Sequence, residues 1–515
     1  MDLYTLPSVV VMVMVMLMVS DARNYHILCY YPIPTKSHDR LAWGVINPLI
    51  QAGHKITWVT PYPDGKPDNV TIIDVSQTIP FGEGLNIVKR NVSGYEIAKT
   101  FADNITRASF TEDLQRALIE NQYDAVMSEW FFSDVEAGFA AVQKVPWIML
   151  SPFPMHRRME AMVGTVTSLD VPLLGHTYPT PLSFWDRLKT TFIHLLTIYN
   201  DWVNYTNEAS VYESFFGPVA AARGVTLPPL SEAARDVAVL LVNSHPSFAP
   251  AHSLPPNVVE IGGYHIDEHT PPLPKDLQAI LDSSPEGAVY FSLGSVVKAA
   301  SLPERTRRDL IQVLGSSNRT VLWKFEGQSE DLPKNIHVRA WMPQSGILAH
   351  ANTKLFITHC GQLSTLEALH HGVPLLAVPV FADQPENAAR AVHAGYGVRV
   401  TFRPDMKEEF SRGLQEALGN DRYYKKAKYL SRLFRRRPVT SSTLIRHYVE
   451  LAIETNGAHH LRPPSRFYSW YQTWLLDQLA VVLLGPLLIY LLFRKIISSF
   501  IKSDLDVSKL NKKRN

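Results

Sequence analysis

Cysteine is nearly absent from this 515-residue chain: Cys29 and Cys360 are too few for a disulfide framework. A charge excess is missing too. The 50 Lys+Arg and 48 Asp+Glu leave a formal net charge of +2, without the basic surplus of a nucleic-acid binder. Charged residues make up only 19% of the chain and hydrophobic residues 46%, which excludes general disorder. Several chemical signatures are also lacking: no G-x-G-x-x-G follows a strand-like run, and there is neither a Walker loop nor an H-E-x-x-H zinc motif. The only D-x-D string, Asp504–Asp506, lies beyond a long apolar stretch, and the histidine pairs at 370–371 and 459–460 have no further ligands at metal spacing. No metal site is expected.

The two ends differ from this average. Val9 to Val19 is an unbroken run of Val, Met and Leu, too short to span a bilayer but suited to a signal peptide of residues 1–22. Ser20 and Ala22 supply the small residues of a cleavage site. No Lys or Arg precedes the run, so an uncleaved anchor is the alternative. Residues 474–493 form a twenty-residue apolar stretch, about 30 Å as a helix, enough to cross the hydrocarbon core. Trp470, Tyr471 and Trp474 would form an aromatic belt ahead of it. The tail 494–515 carries seven Lys/Arg and two Asp, hence +5, so the positive-inside bias places it in the cytosol. Lys512 and Lys513 stand at the dilysine position that returns membrane proteins to the endoplasmic reticulum. The expected topology is therefore a single-pass protein of that membrane with residues 23–471 lumenal. Five N-x-S/T sequons fall in the lumenal stretch, at Asn69, Asn91, Asn104, Asn204 and Asn318.

The middle reads as two α/β halves, 23–245 and 286–465, joined by a proline- and histidine-rich connection at 246–285. Strand-like runs in the first half are 26–31, 55–60, 125–128 and 147–150. In the second they are 289–293, 321–325, 336–340, 355–358 and 375–378. Residues 155–217 are largely helical and rich in aromatics, suited to walling a pocket for an apolar ligand. In open parallel sheets ligands sit beyond the carboxyl ends of the strands, which directs attention to the loops beginning at Gly294, Trp341, His359 and Pro379.

Those loops carry the strongest signal: W-M-P-Q from Trp341, T-H-C-G-Q-L-S-T-L-E-A-L-H-H-G-V-P from Thr358, and P-V-F-A-D-Q-P-E-N from Pro379. Ser364 is expected to open a helix whose N-terminus would receive a diphosphate. Gly361 would allow close backbone approach, His359 would donate a hydrogen bond, and Trp341 offers a face for a nucleobase. Taken singly, each has a plainer reading: Ser364 to Glu367 is also a capping box, Gln384 before Pro385 a helix start, and Ser295 a turn residue.

Together, in this order and spacing, the block resembles the nucleotide-sugar signature of the UDP-glycosyltransferases, and the likeness extends along almost the whole chain. It is most like the membrane-bound insect members. The resemblance implies a GT-B type α/β fold, two Rossmann-like domains facing a cleft, plus one C-terminal transmembrane helix. It implies that Trp341 stacks on uracil and that Gln344 and Glu367 hold the ribose. Ser295, His359, Gly361 and Ser364 would contact the diphosphate, and Asp383 and Gln384 the sugar hydroxyls. Cys360 and Leu363 depart from common family residues, glycine and asparagine respectively.

Glycosyl transfer also needs a base. His38 opens the helix after the first strand, where the resemblance places the family's base, and a carboxylate should orient its second ring nitrogen. The resemblance implies a carboxylate five residues after Asp124, commonly an aspartate in the family, which here is Glu129, with Asp134 and Asp39 as rivals. The expected activity is inverting transfer of a hexose, glucose foremost, from a UDP-sugar to a hydroxyl of a small lipophilic acceptor, in a detoxification-type conjugation. The UDP-sugar is a co-substrate, and no cofactor or metal is expected. The partners are donor, acceptor and membrane lipid, with the oligomeric state open. Glucuronosyl or galactosyl transfer and a non-catalytic UDP-sugar or lipid-binding membrane protein are the alternatives. A nucleotide-dependent oxidoreductase is disfavoured by the missing glycine fingerprint.

Overall fold

The computed structural model describes residues 24–83, 94–165, 181–251, 253–267, 269–295, 297, 299–327 and 331–512. The expected signal segment, Asn91 and Lys513 lie outside the described residues. The first sheet contains β1 (His26–Tyr30), β2 (Lys55–Thr60), β3 (Val70–Asp74), β4 (Ala125–Glu129), β5 (Trp147–Ser151), β6 (Val237–Val242) and β7 (Val258–Glu260). The second contains β8 (Ala288–Ser292), β9 (Thr320–Lys324), β10 (Ile336–Arg339), β11 (Thr353–Thr358), β12 (Leu375–Ala377) and β13 (Gly397–Arg399). All pairings are parallel. The helices used below, in chain order, are α1 (Lys36–Gln51), α2 (Gly94–Ser109), α3 (Arg157–Met162), α4 (Phe184–Arg223), α5 (Lys275–Asp282), α6 (Gln344–Ala349), α7 (Gln362–His371), α8 (Gln384–His393), α9 (Ser441–Glu454) and α10 (Leu476–Lys512).

A parallel strand is covered on both faces, so it carries an apolar run in place of alternation. All six residues of β6, Val-Ala-Val-Leu-Leu-Val, are buried, whereas the edge strand β3 buries only Val70 and Ile73. The strand orders are β3-β2-β1-β4-β5-β6-β7 and β10-β9-β8-β11-β12-β13. Each begins with the order of a doubly wound nucleotide-binding sheet, and the direction of strand addition reverses between β1 and β4 and between β8 and β11. At such a reversal the loops leaving the carboxyl ends part to opposite faces and leave a crevice.

The strands expected from sequence are present within a residue or two; β3, β6, β7 and β13 are additional. Residues 246–285 are more than a connection. Within them β7 closes the first sheet, and α5 buries Leu277 and Leu281 in the core under the second. Helix α9 belongs by position to the second half, yet Ile445, Val449 and Ala452 are buried against α1 and the first sheet. The chain therefore crosses back, and its last packed helix completes the first core. Helix α7 starts two residues before Ser364, with Gly361 as N-cap, so the capping-box reading of Ser364 and Glu367 does not hold.

At the C-terminus, Leu476–Ile501 is a 26-residue stretch that contains an 18-residue window of mean hydropathy 2.1, none of it buried, and it is the one helix among the described residues long and apolar enough to cross a membrane. It starts two residues after the expected Trp474 and continues past Phe493. Of the described sequon residues, Asn69, Asn104 and Asn318 are exposed. Asn204 is half-buried, and its Nδ2 donates to the Asn200 carbonyl at 2.8 Å. Because Ile445 is wholly buried in the first core, Ile445→Ala should lower unfolding stability by about 2–4 kcal/mol. Chemical denaturation checks this; a loss below about 1 kcal/mol would contradict the crossing-back packing.

Candidate active site

The crevice of the first sheet is built by β1, β4 and α1. Thr35 caps α1, its Oγ1 accepting the His38 backbone N–H at 3.4 Å, which sets His38 in the first turn. Glu129 ends β4, and its Oε1 lies 2.7 Å from His38 Nδ1. The carboxylate is buried with Oε2 unpartnered, while the imidazole keeps 16% of its side-chain surface exposed. The rival carboxylates are engaged elsewhere. Asp134 accepts from Trp130 Nε1 at 3.1 Å and Arg158 Nη2 at 3.0 Å, and Asp39 accepts from Lys66 Nζ at 2.6 Å.

An apolar wall stands beside this pair. Phe131 meets the His38 ring edge-on at 5.3 Å between centroids, and it packs with Ile33, Phe101 and Ile105. Phe101 and Ile105 are four apart on α2, so they share one face. This wall was not anticipated; its signal was the apolar spacing in residues 94–109. Of the segment 155–217 that was expected to wall the ligand pocket, Met155, Met159 and Met162 lie in the first core.

The crevice of the second sheet is built around His359, which follows β11. Its imidazole sits between two glycines. A Cβ at Gly294 would lie 2.5 Å from the ring, and one at Gly361 would lie 2.6 Å from Nε2. Gly294 also has φ +85°, a conformation side chains rarely adopt. Burial, aided by the charge of Lys324, lowers the His359 pKa to about 4, so the ring is neutral at pH 7 and can donate a hydrogen bond without adding charge. Cys360 has φ +64°, in the left-handed region that favours glycine. Ser295 is exposed in the loop after β8.

Trp341, two residues past β10, is 67% exposed, with Lys324 Nζ over its ring at 5.9 Å from the centroid. Beside it, Gln344 Nε2 donates to Ser364 Oγ at 3.1 Å and Glu367 Oε2 at 2.8 Å, which draws α6 and α7 into one polar cluster. Burial raises the Glu367 pKa, while Arg40 and Gln344 oppose the rise. Asp383 precedes α8; its Oδ2 accepts from Asn387 Nδ2 at 2.6 Å, and burial raises its pKa to about 6. Gln384 is the first residue of α8, and its Oε1 accepts the backbone N–H groups of Val380 and Phe381 at 2.9 and 3.1 Å, which fixes the carboxamide. Among the described residues, no group of three or more His, Cys, Asp or Glu could hold a metal ion.

The two crevices meet. Arg40, two positions after His38, donates from Nε to the His265 carbonyl at 3.3 Å, lies 3.6 Å from Asp267, and brings Nε to 4.0 Å from Glu367 Oε1. Gln362 Nε2 donates to the Asn243 carbonyl at 2.8 Å, and Leu363 packs against the first core. The Leu363 departure is thus an interdomain contact. Two site residues were missed. Arg40 offered no more signal than a base in an amphipathic helix. Lys324, whose Nζ donates to the Gly294 carbonyl at 2.9 Å, stood out as the single charge in a buried strand.

Comparison with known proteins bears on the family and the fold. Residues 72–508 match the family model "UDP-glucoronosyl and UDP-glucosyl transferase". UDP-glucosyltransferase 2 of Dactylopius coccus is 30% identical over 90% of this chain and 91% of its own. UDP-glucuronosyltransferase 2B17 of Rattus norvegicus is 30% identical over 72% of this chain and 69% of its own. The solved structure of a UDP-glucosyltransferase from Polygonum tinctorium superposes with a TM-score of 0.56 at 16% identity, covering 84% of this chain and all of that one. The fold is the GT-B type, two Rossmann-like sheets facing a cleft.

Gly294→Ala would drive a methyl into the His359 ring. It should weaken UDP binding about tenfold or more by calorimetry, the loss of one hydrogen bond to a charged group; unchanged affinity would remove His359 from the site.

Proposed function

The chain belongs to the UDP-glucuronosyl and UDP-glucosyl transferase family, and from that premise we propose that it moves glucose from UDP-glucose to a hydroxyl of a small lipophilic acceptor, inverting the anomeric carbon. Transfer of a sugar from a UDP-sugar is the family's reaction; the choice of glucose is supported by the insect glucosyltransferase that matches over nine-tenths of the chain. The observation that carries the reading is the His38–Glu129 pair at one strand reversal, joined through Arg40 to the cluster at the other.

Glu129 accepts the Nδ1 proton of His38 and so leaves Nε2 as the base. The acceptor lies against Ile33, Phe101, Ile105 and Phe131 with its hydroxyl at Nε2. As that proton moves to His38, the acceptor oxygen forms its bond to the sugar's anomeric carbon from the face opposite the diphosphate. The bond from that carbon to the phosphate oxygen breaks, and UDP leaves with the electron pair. Trp341 stacks on uracil, and Gln344 and Glu367 hold the ribose. Ser295, Gly361, Ser364 and neutral His359 receive the diphosphate at the first turn of α7, where backbone N–H groups point outward. Asp383 and Gln384 hold sugar hydroxyls. No resident metal is required in this scheme. The helix at 476–501 is the single membrane span of an endoplasmic-reticulum protein, with both sheets lumenal, the basic tail cytosolic, and exposed sequons open to glycosylation.

Release of UDP from UDP-glucose with a phenol present separates an enzyme from a binder. His38→Ala should lower kcat by about 100-fold or more while UDP-glucose affinity stays unchanged; normal turnover would sink the mechanism. Glu129→Gln should retain binding and lose part of kcat. Asp383 binds hydroxyls as a carboxylate, and its raised pKa makes it take up a proton as pH falls through about 6. The KM for UDP-glucose should therefore rise below about pH 6, and Asp383→Asn should abolish that rise. A rise that persists in the variant would exclude Asp383 as its source.

A further inference from the structure

Helix α4 is built inside out along its first half. At 100° per residue, Trp185, Leu188, Phe192, Leu195, Tyr199 and Trp202 fall within a sector about 100° wide. All six are exposed, the two tryptophans at 73%. The opposite side holds Thr190, Thr197 and Asp201, and it is this polar side that faces the protein. Thr190 is wholly buried and its carbonyl accepts from Arg157 at 3.5 Å, and Asp201 pairs with Arg158. Beyond about residue 206 the pattern is normal, with Val211, Tyr212 and Phe216 buried in the first core on that same inward side. One continuous helix therefore keeps one side against the protein while its apolar residues change sides. A water-facing helix carries its apolar stripe inward; the first half of α4 presents an apolar face to whatever surrounds the protein.

We propose that this face lies in the surface layer of a lipid bilayer, as a second membrane contact beside the C-terminal helix. The short helix α3, about 9 Å long, links the two elements. Arg157 and Arg158 at its start hold α4, while Gly164, just past its end, accepts a hydrogen bond from Ser465 and packs against the Arg466 backbone. Arg462 is held alongside by Asp236. The segment that leads into the apolar helix at Leu476 thus departs from the same corner as the exposed face. That segment is itself aromatic and exposed, at Phe467, Tyr468, Tyr471 and Trp474. Tryptophan and tyrosine, with an apolar body and a polar edge, are the side chains that settle at headgroup depth. A helical stretch with one apolar side lies flat at that depth and does not cross. None of the six residues is among those packed at the His38 wall, so the face is a docking surface separate from the acceptor pocket. It holds the mouth of the enzyme against the phase in which a lipophilic acceptor dissolves.

The inference rests on the reading of 476–501 as a span, so the experiment tests both. The full chain is labelled with an environment-sensitive fluorophore at a single introduced cysteine and reconstituted into phosphatidylcholine vesicles; Cys29 and Cys360 are wholly buried and stay unlabelled. The positions are Leu195→Cys on the face, Leu488→Cys in the span and Asp421→Cys as an aqueous control, and retained UDP-sugar turnover certifies the fold. Nitroxide-bearing lipid should quench labels 195 and 488 about twofold or more, and aqueous iodide should quench only 421. A label at 195 quenched by iodide while 488 responds to lipid overturns the inference and leaves the span intact. Loss of lipid quenching at 488 overturns the span itself. A label at 195 shielded from both quenchers means that protein covers the face, either a second copy or the chain's own N-terminal segment, and equally overturns it.

Discussion

The cleft depends on one constraint of parallel sheets: strands buried on both faces leave their polar chemistry only at the strand ends. A carboxylate such as Glu129 is tolerated in β4 because it is the last residue, where a histidine from the helix after the neighbouring strand β1 can reach it. The reversal of strand order opens the crevice that lets α1 present His38 there. The second sheet repeats the solution with different parts, since the loops after β8 and β11 bring two glycines against His359. Duplicating one topology therefore yields two crevices of unlike composition, one holding the His38–Glu129 pair, the other a histidine set between two glycines.

What joins the crevices is a set of contacts that cross between the halves. Helix α9 completes the first core after the chain has finished the second sheet, Gln362 and Leu363 fasten the start of α7 to the first half, and Arg40 spans the gap to Glu367. Arg40 also sits on the helix that carries His38. One guanidinium thereby joins Glu367 to the helix that carries His38. The buried Glu367 gains from that cation, because removing a carboxylate from water without a partner would favour its neutral form.

The expected donor residues stood out in sequence because all but Ser295 lie within one short stretch, 341–384, and each answers to a local rule: a glycine for close approach, a helix start for an anion, an exposed ring. The His38–Glu129 pairing was countable along the chain, though only the fold could show that Asp134 and Asp39 were already committed to Trp130, Arg158 and Lys66. Strand β6 escaped notice because an unbroken apolar run has no period that separates a buried strand from a buried helix. Arg40 and Lys324 escaped because long-range contacts leave no spacing to read. The aromatic wealth of residues 155–217 was plain, but composition does not say which way a helix turns, and α4 turns its rings outward along its first half.

The central claim is a single displacement at the anomeric carbon, driven by His38 from the face opposite UDP. Proton NMR of the product formed from UDP-α-glucose and a phenol tests it most directly. The account predicts a β-glucoside with no α-anomer at early times; an α-glucoside would require a second displacement and would contradict the one-base geometry of the cleft.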